Sequence, residues 1–416
     1  MRSLFGAISG NVRVLAYTEP LWAIPVSWTR IYASLYMVAL GVSVVEIGWI
    51  SALGMSVQIV GALLGGHFTD KWGRKRTLMI FDLLCWWLPM LVWLAAQNVW
   101  YFAAAAFING WSFMSFPAWN CLLVEDTPPE KRSYVFSVIQ IIVLGAGLLA
   151  PLAGLFVAKY QIIAGSRLIY GIAVGSIGLM LILRLWLVRE TSIGQAVSSS
   201  LAAVSFKDAV QAYRDSFTNA SRNRALVILF LLGTFNTLYM NIWTAYSAVY
   251  MVDRRGLGIA ASLISLLPAS QALVIILTTL LVIPHIRVER LKNWLLLSTL
   301  LLSIGMGVFV IAPPRSFLLL TLAMLLTGAG TAIFGPVRDT YFANQVADAE
   351  RARLFSITST LGLILTMPVM PAAGKLYETT PVIPFAIVLG LLLASVAIVF
   401  GLPRRSGRIH EAGVEF

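Results

Sequence analysis

The sequence predicts an all-α membrane protein with about twelve spanning helices in two pseudo-symmetric six-helix bundles. Three observations predict it. Of 416 residues, 59% are hydrophobic and 12% charged, and mean hydropathy is +0.85; soluble domains carry about half and about a quarter. The apolar residues fall into runs of about 20, the length needed to cross a hydrocarbon core of about 30 Å. The second half of the chain also repeats features of the first.

The runs lie near 14–40, 44–66, 77–96, 99–124, 134–158 and 167–188, then near 224–250, 259–284, 294–312, 316–337, 353–376 and 381–402. The first contains Glu19, Pro20, Pro25 and Arg30, unlike the short uninterrupted core of a cleavable signal, so it reads as a spanning helix. These runs divide the chain into an N-terminal bundle over 1–189, a linker over 190–222, a C-terminal bundle over 223–403 and a tail over 404–416. Within the linker, Leu201–Phe217 places apolar residues at helical spacing with Lys207, Asp208, Arg214 and Asp215 between them. That pattern suits a helix lying on the membrane face, with a flexible linker as the alternative.

Orientation follows from Lys and Arg. Lys71, Arg74, Lys75, Arg76, Lys131, Arg132, Arg287, Arg290, Lys292, Arg351, Arg353, Arg404 and Arg405 share one side, which the positive-inside rule makes cytoplasmic. Arg254 and Arg255 are the main exceptions. Both termini are therefore expected in the cytoplasm, with the plasma (cytoplasmic) membrane as the site. The net charge of +12 is accounted for by these loops, and no basic face interleaved with aromatics points to nucleic acid. Cys85 and Cys121 sit inside apolar runs and His67, His285 and His410 in loops or the tail. No metal-ligand spacing results, and neither a metal nor another cofactor is expected.

The repeat is visible at a constant offset. Arg132-Ser-Tyr-Val-Phe136 answers Arg351-Ala-Arg-Leu-Phe355, Pro117 answers Pro336, and Asp70-Lys71 answers Glu289-Arg290. Duplicated six-span units are characteristic of transporters whose site lies between two halves.

Gly65-Gly-His-Phe-Thr-Asp70-Lys-Trp-Gly73-Arg74-Lys75-Arg76, between the second and third runs, resembles the corresponding loop of the major facilitator superfamily of secondary transporters. The stretch Asp126 to Arg132 after the fourth run is also similar to that family's. With the repeat, the resemblance extends over about residues 11–403. Gly65, Gly66 and Gly73 suit tight turning and close helix approach. Asp70 suits a helix N-terminus or an arginine, and Arg74 can fork onto a carboxylate. The resemblance implies that Gly65, Gly66, Asp70, Gly73, Arg74, Asp126 and Arg132 form a cytoplasmic conformational latch, with Asp126 as the acid facing Arg74. The alternative is a purely topological basic cluster. Ser137, Ala146, Ala150, Pro151 and Gly154 in the fifth run resemble, with Ala or Ser for most glycines, a motif of the superfamily's antiporters.

Ionisable residues within spans face protein or water rather than lipid. Glu19 and Arg30, eleven residues apart, lie within about 20° on one helix face but about 16 Å apart along it. They cannot pair, so each requires another partner. Glu19 is the leading proton-coupling candidate, with a structural ion pair to another helix as the alternative; Asp82 and Asp339 are further candidates. Asp82 reads first as a structural group reaching water or a basic loop. Arg338 and Asp339 read as a helix-to-helix ion pair or a gate. Trp22, Arg30, Asn109, Phe113, Asn120, Asn236, Tyr239, Trp243 and Arg338 are candidates for lining a substrate cavity, since aromatic walls with scattered polar groups suit amphiphilic cargo.

The expected function is alternating-access transport, most simply proton-coupled export of a small organic or amphiphilic compound by a monomer in the lipid bilayer. Uptake of a sugar or organic anion, or lipid transport, is the second reading. A receptor or scaffold is a remote third, since a scaffold has no need of a latch. No nucleophile, base and electrophile assemble into an enzyme site.

Overall fold

The computed structural model describes residues 10–125, 127–199, 222–346 and 348–403. Asp126, the expected linker helix Leu201–Phe217, Arg404 and Arg405 lie outside these residues.

Among the described residues the chain forms twelve rods and no strand. The first half contains α1 (Gly10–Ala39), α2 (Val44–Trp72), α3 (Arg74–Leu94), α4 (99–124), α5 (129–160) and α6 (162–187). A short helix, Ser192–Ser199, follows. The second half contains α7 (Arg224–Val252), α8 (Leu266–Leu281), α9 (Leu291–Ile311), α10 (Phe317–Ala343), α11 (348–379, interrupted near Pro368) and α12 (Ile383–Phe400).

Local chemistry sets the boundaries. Ser43 and Glu46 form a reciprocal capping box at the start of α2. Asn98 caps α4 and Asn223 caps α7 through side-chain oxygens that accept backbone N–H groups. Gln161, at φ +65°, separates α5 from α6 inside an otherwise continuous helical run.

Two of the prolines inside the spans, Pro25 and Pro89, are answered by neighbouring helices. Pro25 has no N–H for the Leu21 carbonyl four residues back, and Ser176 of α6 donates its hydroxyl there at 2.6 Å. Pro89 likewise cannot supply the Cys85 carbonyl, and Asn109 of α4 donates its amide to it at 2.7 Å. Beside Pro89, α3 widens into a π turn over Leu83–Trp87. In hydrocarbon such unpaired carbonyls are expensive, so these cross-helix donors allow the kinks to persist.

The chain divides into two compact units. The first holds residues up to Ala202 together with Ala260–Ala269 and Met370–Lys375; the second holds the remainder. In the first, α1 packs on α5 and α6. Ser27 donates to the Ala146 carbonyl at 3.3 Å and Trp28 to that of Leu149 at 3.0 Å, so the small residues of α5 seat the first helix. The core of the second is aromatic. Trp243, Tyr250, Phe309 and Phe385 contact one another with ring centroids 4.8 to 6.5 Å apart, distances at which edge and offset contacts are favourable.

Candidate functional site

Two polar clusters occupy the first unit. The inner one centres on Arg184, near the end of α6. Its Nη2 donates to Glu19 Oε2 at 2.8 Å, its Nη1 to Asp82 Oδ2 at 3.2 Å and its Nε to Thr18 Oγ1 at 3.0 Å. The guanidinium also lies 4.8 Å from the Trp119 ring centroid. Arg184, Glu19 and Asp82 are 3%, 6% and 4% exposed.

The planar fork of arginine explains the residue type, because one guanidinium reaches α1 and α3 together while stacking on α4. The charges do not balance. One cation faces two carboxylates, so with both acids ionised the cluster carries a net negative charge in a poorly hydrated setting.

The cluster forms the polar wall of a cavity of about 250 Å³. Its other walls include Trp22, Trp86, Phe116 and Trp119, with Ser112 and Ser115 among them. Trp22 and Trp86 meet edge to face at 4.9 Å, and the Trp22 indole nitrogen is buried without a hydrogen-bond partner. An aromatic chamber with surplus carboxylate suits a ligand that is part apolar and part cationic.

The second cluster lies at the basic end of the unit. Gly73, at φ +85°, turns the chain from α2 into α3; a β-carbon there would fall 2.6 Å from Glu190 Oε2. Glycine is therefore required by both conformation and space. Glu190, just past the end of α6, caps α3, accepting the Arg74 and Lys75 backbone N–H groups at 3.0 Å each. The buried Arg74 side chain bonds Glu125 Oε1 at 3.0 Å and Asp70 Oδ1 at 3.3 Å. Thr191 donates to the other Glu125 oxygen and accepts from the Gly194 N–H at 2.9 Å. Gly65 approaches α4 closely, since its β-carbon would fall 2.9 Å from the Phe113 carbonyl oxygen.

Among the described residues, the acids that meet Arg74 are therefore Glu125 and Asp70, while the expected Asp126 lies outside those residues. Arg132 is exposed and donates to the Thr127 carbonyl at 3.2 Å, and it makes no ion pair with Glu125 or Asp70 among the described residues. Gly66 has open space around it.

Several other candidates fall elsewhere. Asp82 is buried and bonded to Arg184 rather than to a basic loop. Glu19 and Arg30 are separate as expected: Glu19 is buried, while Arg30 is exposed and has no ion-pair partner among the described residues. Asn109 is committed to the Cys85 carbonyl and Asn120 to that of Phe116 at 2.9 Å. Phe113 is half-exposed beside Gly61 and lies outside the charged cavity's lining.

In the second unit, Tyr239 is buried and Trp243 belongs to the aromatic core, while the Asn236 side-chain amide oxygen is buried without a hydrogen-bond partner among the described residues. Arg338 and Asp339 bond to each other as neighbours on α10 at 2.9 Å through Nε, so the pair is not helix to helix. The Arg338 guanidinium lies against Gly233 of α7.

Glu125, Glu190 and Arg184 escaped sequence reasoning, and Arg184 is the most informative of the three. It sits in Leu-Ile-Leu-Arg184-Leu-Trp-Leu and passes for the end of a span. Two intramembrane acids lacking a cation were the signal that could have found it.

A sequence model of the Major Facilitator Superfamily matches residues 23–287. The uncharacterized MFS-type transporter YqjV of Bacillus subtilis (strain 168) is 23% identical over 305 residues, covering 69% of this chain and 71% of that protein. Among solved structures, the nucleoside transporter NupG aligns with a TM-score of 0.70 at 16% identity, over 94% of this chain and 98% of that one. A D-xylose-proton symporter aligns with a TM-score of 0.70 at 17% identity, over 96% and 99%. At these identities the structural likeness concerns the fold.

Proposed function

Because the chain belongs to the Major Facilitator Superfamily and is a secondary transporter rather than an enzyme, we propose that the Glu19–Arg184–Asp82 cluster couples proton movement to export of a small amphiphilic compound. The observation that carries this reading is the charge count: two buried carboxylates share one guanidinium. Either a proton or a cationic group on the cargo neutralises the surplus, and exchange of one for the other is the chemistry of antiport. The aromatic walls supply contact area for the apolar part of such cargo.

Transport proceeds by alternating access, with the Arg74–Glu125–Asp70 cluster as the latch at the basic end. That end is cytoplasmic, both termini lie in the cytoplasm of a plasma-membrane protein, and the transporting species is a monomer. The D-xylose-proton symporter's title records proton coupling on the same fold, and the small-residue face of α5 supports the antiport direction.

Reconstitution into liposomes tests this reading. With an imposed pH gradient, wild-type protein is expected to move lipophilic dyes in preference to sugars or organic anions, and Glu19→Gln is expected to abolish gradient-driven movement. Retained pH-coupled transport in both Glu19→Gln and Asp82→Asn would remove the cluster from the coupling step.

A further inference from the structure

A second cavity of about 390 Å³ lies between α3 and α6, lined by apolar residues. It opens on another side of α3 from the charged chamber: Leu78, Asp82 and Trp86 line the chamber, and Met79, Leu83 and Trp87 line this groove. One residue along a helix is a rotation of about 100°. Trp86 therefore lines one cavity and Trp87 the other. The groove is a built feature. Gly178 leaves room on α6 for the Trp87 ring, whose Nε1 would lie 3.0 Å from a β-carbon at 178, and the same nitrogen donates to the Val174 carbonyl at 2.9 Å. Leu83, Ile182 and Leu185 are exposed along it. On a spanning bundle, exposed apolar side chains meet lipid tails.

One end of the groove is cationic. Lys75 Nζ donates to the Leu185 carbonyl at 2.9 Å, bridging the two helices there. Arg76 precedes Met79, Ile80 and Leu83 by three, four and seven positions, which puts it on the groove's own helix face. It is exposed and makes no ion pair among the described residues. Glu190 nearby is turned to the Arg74 and Lys75 backbone N–H groups and forms no ion pair with the Lys75 or Arg76 side chain among the described residues. Trp186, 81% exposed, sits at the same level, where an indole marks the boundary between tails and headgroups.

We propose that this groove is a binding site for an anionic phospholipid, with one acyl chain lying between α3 and α6 and its phosphate held by Lys75 and Arg76. The shape of the groove selects a chain, and the cationic mouth selects the headgroup charge. Membership of the family does not by itself imply either.

Native mass spectrometry of the full-length protein, carrying equal amounts of dioleoyl phosphatidylglycerol and dioleoyl phosphatidylcholine, tests the proposal. Retention of phosphatidylglycerol is expected to exceed that of phosphatidylcholine by roughly fivefold or more, the selectivity of one to two basic residues at a membrane surface. Arg76→Gln should reduce this preference, and Lys75→Gln with Arg76→Gln should bring it to within about twofold. Ile182→Trp, at an exposed position that fills the groove, should lower retention of both lipids together. Arg76 is exposed, so its single variant stays informative if the double variant folds poorly. Equal retention of the two lipids by wild-type protein, or a preference unchanged in both basic variants, would overturn the headgroup assignment. Undiminished retention in Ile182→Trp would overturn the groove.

Discussion

Arg184 holds three side chains through three separate nitrogens, and its removal releases all three at once. Arg184→Gln leaves two buried carboxylates without a cation and is expected to destabilise the protein by about 3–5 kcal/mol. Unfolding in detergent measures it. Adding Glu19→Gln and Asp82→Asn should recover much of the loss, because three neutral groups require no cation. Arg184→Lys should not recover it, since an ammonium cannot span Thr18, Glu19 and Asp82 as a fork does. At this scale the sequence was legible where a charge stands out from its surroundings, as Glu19 does beside Pro20. It was less legible where the charge sits near a predicted helix end, as Arg184 does, because long cationic side chains there ordinarily reach the interface. Asn109 shows a related ambiguity. A polar residue facing inward lines a cavity or repairs a backbone, and only the position of Pro89 four residues after Cys85 distinguishes the two.

Helix termini and kinks carry the next set of consequences. Glu190 stabilises the start of α3 by two backbone hydrogen bonds. Glu190→Ala is expected to cost about 1–2 kcal/mol in thermal unfolding, in the range of a lost helix cap or unsatisfied donor. Ser176→Ala should cost about 1 kcal/mol by leaving the Leu21 carbonyl unpaired. In a Pro25→Ala background, where an N–H returns to that carbonyl, the same substitution should have little effect; a double-mutant cycle reads the coupling. Within the proposed latch, Glu125→Gln should slow transport more than Arg132→Gln, since Arg74 bonds Glu125 whereas Arg132 is exposed and bonds the Thr127 carbonyl; initial rates in proteoliposomes distinguish them. The spans themselves were legible, because 20-residue apolar runs admit few other structures in a bilayer. The Arg74–Glu125 contact was not, because packing sets which way a carboxylate at a helix end turns, and no residue pattern displays it.

The two halves of the molecule share a plan, but their charged groups differ. α5 begins at Pro129 and α11 at Asp348, keeping the spacing that relates Arg132 to Arg351 in the sequence. In the second half, the echo of the Gly65–Arg76 loop is a single tight turn, Val288–Arg290, with Glu289 and Arg290 exposed. No counterpart of the buried Arg74 cluster is found there among the described residues. Likewise, the buried carboxylate pair belongs to the first unit, while the second is built around an aromatic core. Coupling on this account resides in the first unit, and its most direct test reverses the usual experiment. A transported compound is added to proteoliposomes that hold no pH gradient, and an internal pH-sensitive dye is followed. Wild-type protein is predicted to move protons against the compound, whereas Glu19→Gln lets the compound run down its own gradient without them. Substrate movement by the wild type with no proton flux, or proton flux unchanged in both Glu19→Gln and Asp82→Asn, would contradict the account.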